Sequence, residues 1–231
     1  MKIAVFAYNF PHRKTQEFLF RLYVDGYDVR MVLGANQVKL NTAKASLRVK
    51  PCFSALVEPR KVCERFGWRY EVVAHNTGQC AELIKSAGVD IGVVAGARIL
   101  KEPVLSAPRA GIINFHPGLI PEVRGMDALQ WAILQDKPIG VTAHLIDRRV
   151  DAGLIILKEE IVLRRDDTLI DVSLKIQETE INMLPKALDA IAAAPDLVGF
   201  ESVGQGEYNK KMGPEFEARV PERFRQRLRA L

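Results

Sequence analysis

Asn114 and His116 stand two residues apart in the run Asn-Phe-His-Pro-Gly-Leu-Ile-Pro, residues 114–121, with Arg124-Gly125 just beyond. On an extended segment that spacing puts both side chains on one face, and Pro117, Gly118 and Pro121 shape the turn that follows. A second polar cluster comes later in the chain, with His144, Asp147, Arg148 and Arg149, then Asp151-Ala152-Gly153. An amide, an imidazole and a carboxylate drawn from two loops suit acyl transfer without a covalent intermediate. The amide and an imidazolium stabilise a developing oxyanion, while the carboxylate orients the ring and takes part in proton transfer. Plainer readings stand beside this one. Asn114 and His116 can be satisfied by local backbone, and Asp151 can close an Asx turn before Gly153. His144 fits a buried or pocket-wall histidine better than a catalyst. Arg124 can hold a substrate anion or cap its own loop. Arg13 and Lys14 precede a helix N-terminus, a natural phosphate position, and equally fit a solvated surface pair.

These residues need elements to hold them, and the first 160 positions alternate strand and helix patterns. Apolar runs at 2–7, 28–33, 70–74, 90–95 and 111–115 read as strands. Helical patterns cover 16–24, with Thr15 as cap and Gly26 beyond it, then 77–87 ending at Gly88, then 126–135. Helix-length crossovers between strands imply an α/β fold, a Rossmann-like three-layer sandwich with a mostly parallel sheet covered on both faces. In such sheets ligands bind beyond the carboxyl ends of the strands, where Asn114 and His116 fall. After Pro138 the rhythm changes. Strands at 141–146 and 154–163 follow one another with no helix between, which predicts a mixed edge. One long helix spans 168–193, with Asp166 or Asp167 near its start. Residues 35–60 show weak periodicity and receive no assignment. The expected organisation is a catalytic domain over 1–195 and a short basic C-terminal appendage over 196–231.

Composition removes several function classes. With 231 residues, 48% apolar and 26% charged, the chain can bury a globular core. No apolar run approaches the roughly 18 residues of a membrane span, and the N-terminus makes a poor secretory signal. Three cysteines, Cys52, Cys63 and Cys80, form no CxxC pair and suit a reducing, cytoplasmic setting. After the first strand comes Tyr8-Asn9-Phe10-Pro11-His12 in place of GxGxxG, which disfavours a dinucleotide site. P-loop, HExxH, GxSxG and paired-cysteine zinc signatures are missing, and His12, His75, His116 and His144 are too scattered to suggest a metal. Most of the net charge of +5 sits in residues 209–231, so nucleic-acid binding is not the expected use of the basicity.

Taken together, Asn-x-His-Pro-Gly-Leu-x-Pro-x-x-Arg-Gly over 114–125, Gly-Val-Thr-Ala-His over 140–144 and Asp-Ala-Gly over 151–153 resemble the 10-formyltetrahydrofolate-dependent formyltransferases. The resemblance implies that Asn114, His116 and Asp151 are the catalytic trio and that no metal is needed. It also implies that folate is bound through main-chain groups of Arg98, Ile99 and Leu100 and of the loop from Asp147 through Val150 to Asp151. Within the family, the glycinamide ribonucleotide enzymes carry a Gly/Ser-rich loop after strand one, the methionyl-tRNA enzymes a large C-terminal domain, and the folate deformylases an N-terminal regulatory domain. The absence of these leads to the expectation of a sugar-amine formyltransferase acting on a nucleotide-linked amino sugar, to which 140–144 and Arg124–Trp131 are also similar. A glycinamide-ribonucleotide-type enzyme and a formyltetrahydrofolate hydrolase are the alternatives. The acceptor is expected to be a small anionic amine, its phosphates meeting Arg13, Lys14, Arg124 and the basic residues Lys39, Lys44, Arg48, Lys50 and Arg60. No membrane or nucleic-acid partner is expected, and a homodimer is left open.

Overall fold

A computed structural model describes residues 1–39, 55–149, 151, 153–204 and 206–231. Five parallel strands make the first half of one sheet: β1 (Lys2–Tyr8), β2 (Asp28–Ala35), β3 (Tyr70–Val72), β4 (Ile91–Val94) and β5 (Ile112–His116). Beyond a two-residue strand β6 (Arg124–Gly125), the sheet continues with β7 (Gly140–Leu145), β8 (Leu154–Glu160) and β9 (Glu201–Ser202), all antiparallel to their neighbours. The order is β3-β2-β1-β4-β5-β7-β8-β9, a Rossmann-like sheet with the mixed edge anticipated after Pro138. The chain leaves β1 toward β2 and β3, then returns to β4 on the other side of β1. That reversal opens a crevice beyond the carboxyl ends of β1 and β4.

Burial on both faces explains the continuous apolar runs. Ile3, Val5 and Ala7 of β1 face one core, and Ala4 and Phe6 face the other. The first core packs under α1 (Arg13–Val24), α4 (Ala128–Leu134), α5 (Leu169–Ala193) and α7 (Val220–Arg229). The second lies under α3 (Gly78–Ser86) and the loop carrying Leu100 and Val104. On β5, Ile113 and Phe115 join the first core and Ile112 the second. Asn114 and His116 share the parity of Ile112, so they emerge on the α3 side where the strand runs out of cover.

Several boundaries differ from the sequence reading. Helix α1 begins at Arg13, and its cap is His12, whose Nδ1 accepts from the Thr15 amide. Thr15 is instead buried, donating Oγ1–H to the Ala95 carbonyl at 3.1 Å. The long helix α5 is capped by Thr168 with Asp171 in a reciprocal capping box, whereas Asp167 pairs with Lys175. In the unassigned stretch, β2 reaches Ala35 and α2 (Pro59–Phe66) opens on a proline and closes on Gly67 at φ 70°. Residues 40–54, which hold Lys44, Arg48, Lys50 and Cys52, lie outside the described residues. The C-terminal residues are threaded into the fold. Met212, Val220, Phe224 and Leu228 join the first core, β9 extends the sheet, and β10 (Tyr208–Asn209) pairs with β6. A short helix, α6 (Pro214–Glu217), leads into α7.

Candidate active site

Strand β5 delivers Asn114 and His116 to the crevice, and the loop after β7 brings Asp151 to meet them. Asp151 Oδ1 lies 3.5 Å from His116 Nδ1, and its Oδ2 accepts from the Gly125 amide at 2.8 Å. The other ring nitrogen, Nε2, is 2.9 Å from the Val123 carbonyl. A carbonyl can only accept, so Nε2 carries a hydrogen and Nδ1 is the atom turned to the carboxylate. Asn114 Nδ2 donates to His144 Nε2 at 3.3 Å, and His144 is fully buried. His144 thus braces the Asn114 amide from inside the sheet.

The backbone here is bent to purpose. Asp151 adopts φ 47°, a left-handed conformation that Asp tolerates better than most residues. Two positions later Gly153 sits at φ 108°, where a Cβ would run into the Leu145 carbonyl. Only glycine fits that close approach, and it lets the loop fold back so that Asp151 faces His116.

A cavity of about 640 Å³ opens over this trio. Arg98 to Lys101 form one wall, Ile146, Asp147, Arg149 and Asp151 another, and Met126 and Tyr208 close the rim. Asn76 pins the first wall, donating to the Ile99 carbonyl and accepting from the Lys101 amide, both at 2.8 Å. The Arg98 guanidinium points away and donates to the Val38 carbonyl. In the second wall, partial burial opposes charge on Asp147, but side-chain and backbone bonds from Arg149 outweigh it and hold the carboxyl below the usual range.

Of the anticipated residues, Asn114, His116, Asp151, Arg98, Ile99, Leu100 and Asp147 all line this one cavity. Val150 lies outside the described residues. Arg13 bonds Glu17 along α1, and Arg124 donates to the Gly206 carbonyl. Lys14 lines an adjoining groove of about 240 Å³ with Tyr8, His12, Asn114 and Pro117. A third hollow of about 370 Å³, lined by Tyr8, Phe10, Asn36 to Lys39 and Arg98, continues from it. Asn76 and Tyr208 were not foreseen. Each reaches the site through tertiary placement, and neither sits in a local pattern that announces it.

The sequence profile described as formyl transferase matches residues 1–188. The chain belongs to the formyl transferase family. A methionyl-tRNA formyltransferase of Thermosynechococcus vestitus is 35% identical over 121 residues, which are 52% of this chain and 36% of that protein. The chain's matches to eight such curated relatives span 32% to 47% of their length. Among solved structures, a sugar N-formyltransferase from a Shewanella species superposes with TM-score 0.63 at 19% identity, covering 96% of this chain and 87% of that one. A glycinamide ribonucleotide transformylase from Symbiobacterium toebii superposes with TM-score 0.64 at 23% identity, over 88% and 93% respectively. These likenesses confirm the Rossmann-like formyltransferase fold.

Proposed function

We propose that the protein transfers a formyl group from 10-formyltetrahydrofolate to the primary amine of a nucleotide-linked amino sugar. The observation that carries this reading is the meeting of Asn114, His116 and Asp151 at the junction of two cavities, both of which reach Asn114.

The larger cavity suits the folate. Its volume lies within the roughly 300–1,000 Å³ typical of small-molecule sites, and its walls, residues 98–101 on one side and Asp147, Arg149 and Asp151 on the other, leave room for a flat, hydrogen-bonding ring. The bound folate supplies an electrophilic formyl carbon. Asn114 offers a second amide N–H beside the one given to His144. His116, once protonated on Nδ1, is a cation facing Asp151 at the same wall. The free Asn114 N–H and the positive charge of the imidazolium stabilise negative charge developing on the formyl oxygen. Asp151 keeps the imidazolium oriented and relays the proton from the attacking amine to the folate nitrogen, whose bond to the formyl carbon breaks as the new amide forms. The smaller groove and the hollow beyond it suit the acceptor. Tyr8 and Phe10 stack at 4.9 Å between centroids, a flat aromatic surface for a base or sugar, and Lys39 and Arg98 stand beside it for phosphate.

The test is formyl transfer from 10-formyltetrahydrofolate to a panel of nucleotide-linked amino sugars, glycinamide ribonucleotide and methionyl-tRNA, with products identified by mass. An N-formylated nucleotide sugar is the expected product. Transfer only to another panel member would replace the acceptor assignment, and formate release without any acceptor would make the protein a hydrolase.

A further inference from the structure

Lys14 reaches from the first turn of α1 across to the catalytic strand. Its Nζ donates to the Phe115 carbonyl at 2.8 Å and to Glu180 Oε1 at 2.8 Å. Phe115 lies between Asn114 and His116, and its carbonyl belongs to the peptide bond that links it to His116. Glu180 comes from the middle of α5, with only 7% of its side chain exposed. The Phe115 ring is locked edge-on against Phe18, over which the Lys14 ammonium also sits at 5.3 Å. Burial pushes the Glu180 carboxyl up, and the Lys14 charge opposes that push. His116 is close enough to act on Glu180 electrostatically in the same sense as Lys14.

A solvent-seeking lysine that binds phosphate would not be tied down this way. Two of its three donors are committed inward, and its partner carboxylate is buried, a costly arrangement that yields little net stability. We infer that Lys14, anchored by Glu180, is a positioning residue that holds the Phe115–His116 peptide, and with it the His116 ring, at the angle formyl transfer needs. This assignment replaces the phosphate role the sequence suggested for Lys14 and rests on the catalytic reading of Asn114 and His116. Small displacements of reacting groups cost up to about 10²-fold in rate, so a brace on the peptide between two catalytic side chains affects turnover more than binding.

Two measurements on the full chain separate this role from its rivals. In protein labelled with ¹⁵N-histidine, four imidazoles are observed, and His116 is assigned with His116→Gln. Lys14→Met should displace the His116 ring resonances while those of His75, bonded to the Leu33 carbonyl, stay in place. On whichever panel acceptor turns over, Lys14→Met should lower kcat about tenfold or more, with KM for folate and acceptor within threefold. The double variant Lys14→Met/Glu180→Leu should regain the melting temperature without regaining kcat, because an apolar pair of similar size removes the stranded charge but not the lost brace. A tenfold rise in acceptor KM with kcat retained makes Lys14 a substrate ligand and overturns the inference. So do unmoved His116 resonances in the folded variant, or recovery of kcat together with stability. If the wild type formylates no panel member, the proposed reaction fails separately, and the ring resonances still decide whether Lys14 sets the geometry of His116.

Discussion

At His116 the two ring nitrogens have unequal duties, since Nε2 is spent on the Val123 carbonyl and Nδ1 alone looks toward Asp151. His116→Ala and Asp151→Asn should therefore each reduce kcat by about 10² to 10³, with circular dichroism unchanged. Turnover within threefold of wild type in either variant would remove the proposed chemistry. Gly153→Ala should reduce kcat as well, because a methyl group there meets the Leu145 carbonyl and must displace the loop that presents Asp151. The meeting of Asn114 and His116 at one cavity was legible because strand parity and a Pro/Gly-shaped turn are local properties of the chain. Asn76 was not legible. It acts on Ile99 and Lys101, residues it meets only once α3 has packed beside the loop after β4.

Elements carry the next set of consequences. The wall at 98–101 is held by two Asn76 bonds, each worth roughly 1 kcal/mol net. Asn76→Ala should thus raise the folate KM up to about thirtyfold and leave the acceptor KM unchanged, a split that steady-state kinetics reads directly. Helix α1 depends on His12, whose partial burial, aided by the Lys14 charge, lowers its pKa to about 4. The unfolded chain then binds a proton near pH 6.5 that the native state refuses until about pH 4. Stability must fall as pH drops through that window. Urea unfolding at intervals from pH 7 to pH 4 should show the loss. A His12→Asn variant, which keeps a capping side chain, should lose less over the same range. Propensity placed α1 several residues late because Thr15 looked like the better cap. Its hydroxyl was claimed by the Ala95 carbonyl across the sheet, a tertiary demand that no local pattern encodes.

Across the whole molecule, the last thirty residues are structural members. Phe224 on α7 is 4% exposed and sits in the first core, so Phe224→Ala should cost about 3 kcal/mol of unfolding free energy in denaturant titration. The parallel half of the sheet was legible chiefly through β1, β2, β4 and β5, whose largely buried apolar runs advertise themselves. The C-terminal contribution was hidden because β9 and β10 are two residues each, too short for any periodicity, and owe their existence to partners far away in the chain.

Those partners give the chain a timetable. Arg124, on β6 just past the turn that follows His116, is gripped by Asn209 from 85 residues downstream, and Tyr208 completes the rim over His116. At synthesis rates of about 5–20 residues per second, Arg124 is made roughly 4 to 17 s before the strand that clamps it. Every nascent copy therefore passes through an interval in which Asn114 and His116 exist and the pocket does not.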